Sequence, residues 1–184
     1  MKCAYPYRHP KNGFVSCGRC MPCRIHNKRT WTGRMVMESK SHDFSWFITL
    51  TYDPNNLPLT SEYFSTLRPK DLQLYLKRAR HVVPFRFFGV GEYGDHTFRP
   101  HYHVMMFGPN EKQIEEITNK WELGFTHTAP ANPSRMGYIA SYTTKKMTKE
   151  GDPRLKGREP EFSRMSRNPA IGTGYVPNDR DWET

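Results

Sequence analysis

The segment FRFFGVGEYGDHTFRPHYHVMMFG, residues 85–108, contains two apolar runs separated by a short polar stretch. The aromatic and β-branched residues predict strands at 85–93 and 99–108, and the turn-forming letters GDHT between them predict an antiparallel hairpin. Residues i and i+2 of a strand project to the same face. His101 and His103 are therefore predicted to lie together on one face of a sheet.

Hydrophobic periodicity around this hairpin predicts an α+β fold. The other predicted strands are 44–52 and 124–129, and the predicted helices are 27–42, 68–82, 110–123 and 133–147. An antiparallel sheet with helices packed mainly on one face accounts for this order of elements. The two histidines would then lie on the uncovered face.

Composition divides the chain into three predicted segments. Residues 1–26 form a Cys-rich, basic N-terminal segment resembling a zinc knuckle, residues 27–148 form the core, and residues 149–184 form an irregular C-terminal segment rich in Gly and Pro. The chain lacks an apolar run of about 18 residues, and its start lacks the apolar region of a secretory signal. We therefore expect a cytoplasmic protein with no membrane partner and without disulfides.

The net charge of +10 is concentrated near the N-terminus. Residues 1–40 contain nine Lys or Arg against one acid, a net charge of +8, whereas the rest of the chain is nearly balanced. Aromatic residues in the same segment favour a nucleic acid as the partner over a role in solubility alone. The residues predicted to contact DNA are Arg19, Arg24, Lys28, Arg29, Arg34, Arg99 and Lys146.

Glu92 completes a candidate metal site. If the hairpin register places Glu92 directly opposite His101, one carboxylate joins two imidazoles on the same face. Such a set suits a hard divalent cation, Mg²⁺ or Mn²⁺. A register shifted by one residue would turn Glu92 to the other face and leave the histidines as ordinary polar residues of a solvated strand.

A second cluster lies in YIASYTTKK, residues 138–146. Tyr138 and Tyr142 are one helical turn apart and Lys145 follows on the same stripe, so a helix would display the three side chains together. Half-buried tyrosines beside a solvated lysine are also ordinary features of an amphipathic helix. Next to a metal that polarises a phosphodiester, a phenol could instead attack phosphorus and an ammonium could stabilise the oxyanion.

The cysteines form another candidate metal site, with the ligands Cys3, Cys17, Cys20 and Cys23. The C-x₂-C-x₂-C spacing resembles a zinc or an iron–sulfur site. A zinc site would compact a segment that has little apolar core, so we favour zinc over unbonded reduced thiols and over iron–sulfur. His9 and His26 are additional candidate ligands.

Together these motifs resemble those of HUH endonucleases. RPHYHVMMFG is similar to their His-hydrophobic-His motif, YIASYTTKK to their Tyr/Lys motif in its two-tyrosine form, and FITLTY, residues 47–52, to their first motif strand. CGRCMPCR precedes these blocks and FSRMSRNPAIG follows them. This order resembles that of the replication initiators of gokushovirus-like microviruses, which are small single-stranded DNA phages.

The resemblance implies a ferredoxin- or RRM-like HUH fold and rolling-circle initiation. In that reaction a tyrosine nicks one strand at the origin, stays joined to the 5′ phosphate and leaves a 3′-OH. The implied partners are single-stranded origin DNA and the host helicase and polymerase, in the host bacterial cytoplasm. The implied roles are metal ligation by Glu92, His101 and His103, nucleophilic attack by Tyr138 and Tyr142, and assistance by Lys145.

Two other functions are compatible with the sequence. A non-catalytic single-stranded DNA-binding protein would use the basic segment and its aromatic residues and would not need the histidines or tyrosines. An HUH transposase or relaxase would share the metal motif, but transposases of this kind commonly use one tyrosine. The tyrosine pair and the cysteine block therefore favour phage replication.

Overall fold

The computed structural model describes residues 2–144 and 151–174. Its strands are β1 (Tyr7–His9), β2 (Gly13–Val15), β3 (Ser45–Tyr52), β4 (Arg86–Tyr93), β5 (Pro100–Phe107), β6 (Gly124–Pro130) and β7 (Phe162–Met165). Its α-helices are α1 (Met21–Ser39), α2 (Pro69–Ala79), α3 (Glu111–Thr118) and α4 (Pro133–Tyr142), and a 3-10 helix covers Pro153–Leu155. No helix within these ranges is long and apolar enough to cross a membrane.

One antiparallel sheet with the strand order β6-β3-β5-β4-β7 forms the centre of the molecule. The predicted hairpin is the pair β4–β5, and its register places Glu92 directly opposite His101. A separate two-stranded hairpin, β1–β2, lies in the N-terminal segment. The predicted α+β class with an antiparallel sheet is confirmed.

Helices cover both faces of this sheet, not mainly one. Alternate residues of β5 pack into two different apolar cores: Tyr102 belongs to the core built with α2 and α3, whereas Met105 belongs to the core built with α1 and α4. The histidines share the face of Met105, so the prediction that they lie on an uncovered face is wrong. The reason is that the central strand is apolar on both sides, and each side needs its own covering layer.

Two helices have ends that differ from those predicted. α1 begins at Met21, within the segment expected to be irregular and before the predicted boundary at residue 26. Pro22 occupies the first turn, where a missing N–H costs nothing, and Cys23 in the same turn is buried. α4 ends at Tyr142, where the hydroxyl of Thr143 donates to the Ala140 carbonyl at 2.7 Å.

The segment predicted to be irregular, 149–184, supplies the edge strand β7, which pairs with β4. Gly91 makes room for it, because a Cβ at that position would lie 2.6 Å from a ring carbon of Phe162. Leu155 and Ile171 on either side of the strand are buried. A strand of four residues between Gly- and Pro-rich stretches carries too short a pattern to be recognised locally.

Glu38 of α1 ties three parts of the chain together. Its carboxylate is 5% exposed, accepts hydrogen bonds from Arg86 Nε and, at 2.6 Å, from the backbone N–H of Gly172, and lies 3.2 Å from His42 Nε2. The Arg86 guanidinium also donates to the Pro169 carbonyl at 2.8 Å. Burial by itself would raise the pKa of Glu38, but these hydrogen bonds outweigh it and lower the pKa.

We expect Glu38→Ala to destabilise the fold by about 2 kcal/mol, because it leaves the Arg86 guanidinium without its carboxylate. The folded-state pKa of Glu38 is lowered, so its contribution is present above the unfolded pKa of about 4.3 and is lost as the pH falls towards the folded value. Urea unfolding between about pH 7 and about pH 3 measures this loss.

The matched control for this prediction is Glu116→Ala. The exposed Glu116 carboxylate lies 3.4 Å from Lys120 Nζ one helical turn away, and removing it should cost less than about 0.5 kcal/mol. Equal destabilisation by the two substitutions, or a Glu38 effect that does not shrink in acid, would contradict the role assigned to Glu38.

Candidate active site

Two neighbouring strands bring one carboxylate and two imidazoles together. Glu92 Oε1 lies 2.6 Å from His101 Nε2 and 3.0 Å from His103 Nε2. The candidate ligand atoms of the three residues all lie within 4.8 Å of one another. Glu92 and His103 are buried, whereas the His101 side chain is 19% exposed. The cluster is therefore a pocket-like site that solvent reaches on the His101 side.

The protein also holds the outer nitrogen of each imidazole. His103 Nδ1 lies 3.0 Å from the hydroxyl of Thr49 on β3, and His101 Nδ1 lies 3.1 Å from the Arg99 carbonyl. A carbonyl only accepts hydrogen bonds, so His101 Nδ1 carries the proton and Nε2 is directed at Glu92. Outer partners of this kind are typical of histidines that bind metal through the other nitrogen.

Glu92 has the charge that a metal ligand requires. Burial alone would raise the pKa of Glu92, but the hydrogen bonds from His101 and His103, together with their charges, lower it to about 2. Glu92 is thus ionised at neutral pH. One carboxylate oxygen and two imidazole nitrogens fit a divalent cation such as Mg²⁺ or Mn²⁺.

Helix α4 is positioned over the same face of the sheet. It begins at a capping side chain, since Asn132 accepts a hydrogen bond from the backbone N–H of Arg135 at 2.9 Å. Met136, Ile139 and Ala140 face the apolar core shared with α1 and the sheet. The intervening positions carry the two tyrosines and direct them towards the histidines.

Both tyrosine rings contact His103. The ring centroid of His103 lies 5.4 Å from that of Tyr138 and 5.9 Å from that of Tyr142, and the two phenol rings are 5.0 Å apart. Tyr138 is 47% exposed, whereas Tyr142 is half-buried. The tyrosines do share one face of α4, as the spacing predicts. Lys145 and Lys146 lie outside the described residues.

The surroundings of Tyr142 keep its phenol protonated. Burial raises the pKa of Tyr142, and the hydrogen bond with Tyr138 and the negative charge of Glu92 raise it further. The two phenols therefore occupy different environments although they lie one helical turn apart. The exposed ring, Tyr138, is the one that a bound substrate reaches without displacing protein groups.

A basic groove runs between α1 and α4 beside Tyr138. It has a volume of about 470 Å³ and is lined by Ile25, Lys28, Arg29, Thr32 and Gly137. Gly137 directly precedes Tyr138, and a Cβ there would lie 3.9 Å from Lys28 Cε. The structure thus brings two of the predicted DNA-binding residues, Lys28 and Arg29, close to the tyrosine pair.

The other predicted DNA-binding residues are dispersed. Arg99 donates to the Tyr52 carbonyl at 2.6 Å, which gives it a structural contact. The Arg34 guanidinium lies 5.3 Å from the centroid of an aromatic ring of α1. Arg19 and Arg24 lie at the cysteine cluster, the first exposed and the second half-buried.

All four cysteines converge at the start of α1. Cys20 Sγ lies 3.4 Å from Cys23 Sγ and 3.8 Å from Cys3 Sγ, and Cys17 Sγ lies 4.0 Å from Cys23 Sγ. No sulfur is in a disulfide. The structure thus unites Cys3 with the three cysteines of the C-x₂-C-x₂-C run, in a group whose sulfur atoms all lie within 4.8 Å of one another.

Backbone amides surround these sulfurs. The N–H groups of Ala4 and Cys23 lower the pKa of Cys20 to about 6, so Cys20 is a thiolate at neutral pH. The N–H groups of Arg19 and Cys20 lower the pKa of Cys17. Thiolates that accept backbone hydrogen bonds and lie within one ion's reach are the donor set of a structural zinc site.

Sequence reasoning missed two neighbours of His103 on β3. Thr49 holds its outer nitrogen, and the Phe47 ring stacks on it with centroids 5.1 Å apart. Both lie in FITLTY and alternate along one face, which was the available signal. Their contact depends on a pairing between residues 54 positions apart, and local periodicity does not specify such a register.

The fold and the site define an α+β protein that places a candidate metal site of one carboxylate and two imidazoles beside a pair of tyrosines. Residues 45–147 match the model of a family described as Replication-associated protein ORF2. The chain belongs to this family of replication-associated proteins.

Three curated viral proteins are similar to the chain. Replication-associated protein ORF2 of Spiroplasma virus 4 is 30% identical over 92% of this chain and 59% of the relative. Replication-associated protein VP4 of Bdellovibrio phage phiMH2K is 29% identical over 74% of this chain and 50% of the relative. Replication-associated protein ORF4 of Chlamydia phage 1 is 24% identical over 88% of this chain and 45% of the relative. The chain spans about half the length of these relatives.

One solved structure, the hypothetical protein ORF119 from Sulfolobus islandicus rod-shaped virus 1, is 16% identical to this chain. It covers 64% of this chain and 96% of its own, with a TM-score of 0.42. That score is too low to support an argument about fold or function.

Proposed function

We propose that the chain is a rolling-circle replication initiator, an HUH-type endonuclease that nicks one strand of origin DNA with a tyrosine as nucleophile. The juxtaposition of the Glu92, His101 and His103 cluster with two tyrosine rings, at 5.4 and 5.9 Å from His103, carries this proposal. Membership in a replication-associated family supports DNA as the substrate.

The chemistry follows from the groups at the site. Glu92, His101 and His103 would hold Mg²⁺ or Mn²⁺, which when bound supplies a Lewis acid to a phosphodiester oxygen. The phenol oxygen of Tyr138 or Tyr142 forms the bond to phosphorus as the bond to the 3′ oxygen breaks, and the phenol proton ends on that 3′ oxygen. The products are a 5′-phosphotyrosine link and a free 3′-OH.

Two basic surfaces support binding of the single strand in this proposal. The groove with Lys28 and Arg29 lies beside the tyrosines and suits phosphates. On the β1–β2 hairpin, Arg8 pairs across the strands with Phe14, whose ring is 77% exposed. An exposed ring beside a cation suits stacking of an unpaired base.

The proposal also specifies the partners and place of action. A free 3′-OH is the group that a DNA polymerase extends, and a helicase is needed to open the duplex ahead of it. We assign both to the host, so the chain would act in the host bacterial cytoplasm. Lys145, three residues beyond Tyr142, is proposed to steady the phosphate, and Lys146 to contact the DNA backbone.

The direct test is covalent capture. Labelled single-stranded fragments covering the viral genome that encodes the chain are incubated with the protein and Mg²⁺ or Mn²⁺, then separated by denaturing electrophoresis. We expect a protein–DNA band from one fragment and none when the divalent cation is omitted. Tight binding of every fragment without a covalent band would favour a non-catalytic single-stranded DNA-binding protein.

We expect protein purified without chelator to contain about one zinc ion per chain, bound by Cys3, Cys17, Cys20 and Cys23. Elemental analysis of the Cys17→Ser/Cys20→Ser variant should show loss of nearly all zinc. Glu92→Ala is the matched control and should keep it, because thiolates select zinc and the carboxylate–imidazole set does not. Iron in place of zinc, or no metal in the parent protein, would refute this assignment.

A further inference from the structure

A second basic cleft lies on the opposite face of the sheet from the candidate active site. This α2–β7 cleft, between α2 and the edge strand, has a volume of about 450 Å³. Phe87 lines it, and Phe87 and Glu92 point to opposite faces of β4 because an odd number of positions separates them. The cleft is therefore distinct from the site of the histidines and tyrosines.

Cations and apolar groups share the lining of this cleft. Leu72, Leu76 and Phe87 are buried side chains of the adjoining core and form its floor. The cations are contributed by α2 and its C-cap, by β7 and by the chain that follows β7. They are Lys70, Arg80, Arg164 and Arg167.

The charge of the α2–β7 cleft is not compensated by the surrounding protein. No carboxylate lines it, and within residues 2–144 and 151–174 none of its four cations forms an ion pair. The Arg80 guanidinium instead lies over the rings of Phe85 and Phe87, at 5.2 and 5.4 Å from their centroids. Four like charges around an apolar floor create a potential that favours an anion.

We propose that the α2–β7 cleft binds a segment of single-stranded DNA remote from the scissile phosphate. Cations spread over separate elements suit a run of phosphates better than one isolated anion. The apolar floor and the guanidinium held flat over aromatic rings suit an unpaired base, which a duplex does not offer. The choice of DNA as the polyanion rests on the proposed function, whereas the cleft and its charge do not.

The test is fluorescence anisotropy with a labelled single strand of about 30 nucleotides, without added Mg²⁺ or Mn²⁺ so that no cleavage occurs. Arg164→Ala/Arg167→Ala removes two exposed side chains and should leave the thermal unfolding temperature unchanged. We expect about tenfold weaker binding, and a slope of log K against log salt that is smaller by about 1.4, the value for two lost phosphate contacts.

Lys77→Ala/Lys112→Ala is the matched control, because it removes two exposed charges of α2 and α3 that do not line the cleft. It should bind nearly as the parent does. A duplex of the same sequence should distinguish the cleft variant from the parent by less than about threefold. Parent-like binding by Arg164→Ala/Arg167→Ala, or an equal loss in the control, would overturn the proposal.

Covalent capture on a short oligonucleotide separates this proposal from the proposed function. The cleft variant should form the phosphotyrosine adduct as well as the parent, since its substitutions lie on the other face of the sheet. Weakened binding of the long strand by the cleft variant, with no adduct from the parent on any fragment, would refute the nicking activity and support the cleft.

Discussion

His103→Ala and His101→Ala are each expected to lower nicking of an origin strand about 10³-fold or more, while binding of the same strand changes less than about threefold. Cleavage depends on a Lewis acid at the scissile phosphate, and loss of several kcal/mol of transition-state stabilisation corresponds to that factor. Binding depends mainly on Lys and Arg contacts to phosphates, which need no divalent cation. Quantitative covalent capture measures the first effect and anisotropy the second.

His81→Ala is the matched control, because His81 is an exposed histidine at the end of α2 on the other side of the sheet. It should nick as the parent does. Glu92→Gln keeps the size of the ligand but removes its charge, so it should also lose nicking and should recover part of it at high Mn²⁺. Full activity of the His101→Ala/His103→Ala double variant would remove the metal site from the mechanism.

Tyr138→Phe is expected to lose nearly all covalent adduct on a simple oligonucleotide, at least about 10²-fold, whereas Tyr142→Phe should retain it. The reason is exposure: the Tyr138 ring is 47% exposed beside the basic groove, and the Tyr142 ring is half-buried against His103. We therefore assign the first attack to Tyr138. The double variant should form no adduct.

The role of Tyr142 should appear in the second half of the reaction. Rolling-circle synthesis regenerates the origin while the first tyrosine still holds the 5′ end of the displaced strand. A second phenol must cut the new junction, so that the released 3′-OH can attack the first phosphotyrosine and close the circle. Tyr142→Phe should therefore nick but fail to release circles from a replication substrate.

Tyr63→Phe provides the control, since Tyr63 is an 83% exposed tyrosine remote in sequence from α4. It should behave as the parent in both assays. Two outcomes would contradict the assignment: loss of adduct in Tyr142→Phe with retention in Tyr138→Phe, which would reverse the order, or circle release by Tyr142→Phe, which would make one tyrosine sufficient.

Several features of this protein follow from local sequence. The β4–β5 hairpin was predictable because two apolar runs flank a turn-forming tetrapeptide, and once the hairpin forms, the spacing places Glu92 opposite His101. The shared face of Tyr138 and Tyr142 follows from the 3.6-residue period of a helix. Asn110 was predictable as a cap and does form a capping box at the start of α3.

Only the tertiary structure decided how these local features meet. It placed α4 over the face of β5 that carries the histidines, brought Cys3 to Cys20 across 17 positions, and made an edge strand of Phe162–Met165. Periodicity determines which side chains share a face of an element, because that depends on backbone geometry alone. Which element covers that face is determined by burial of both sides of the sheet at once, a property of the whole chain rather than of any one segment.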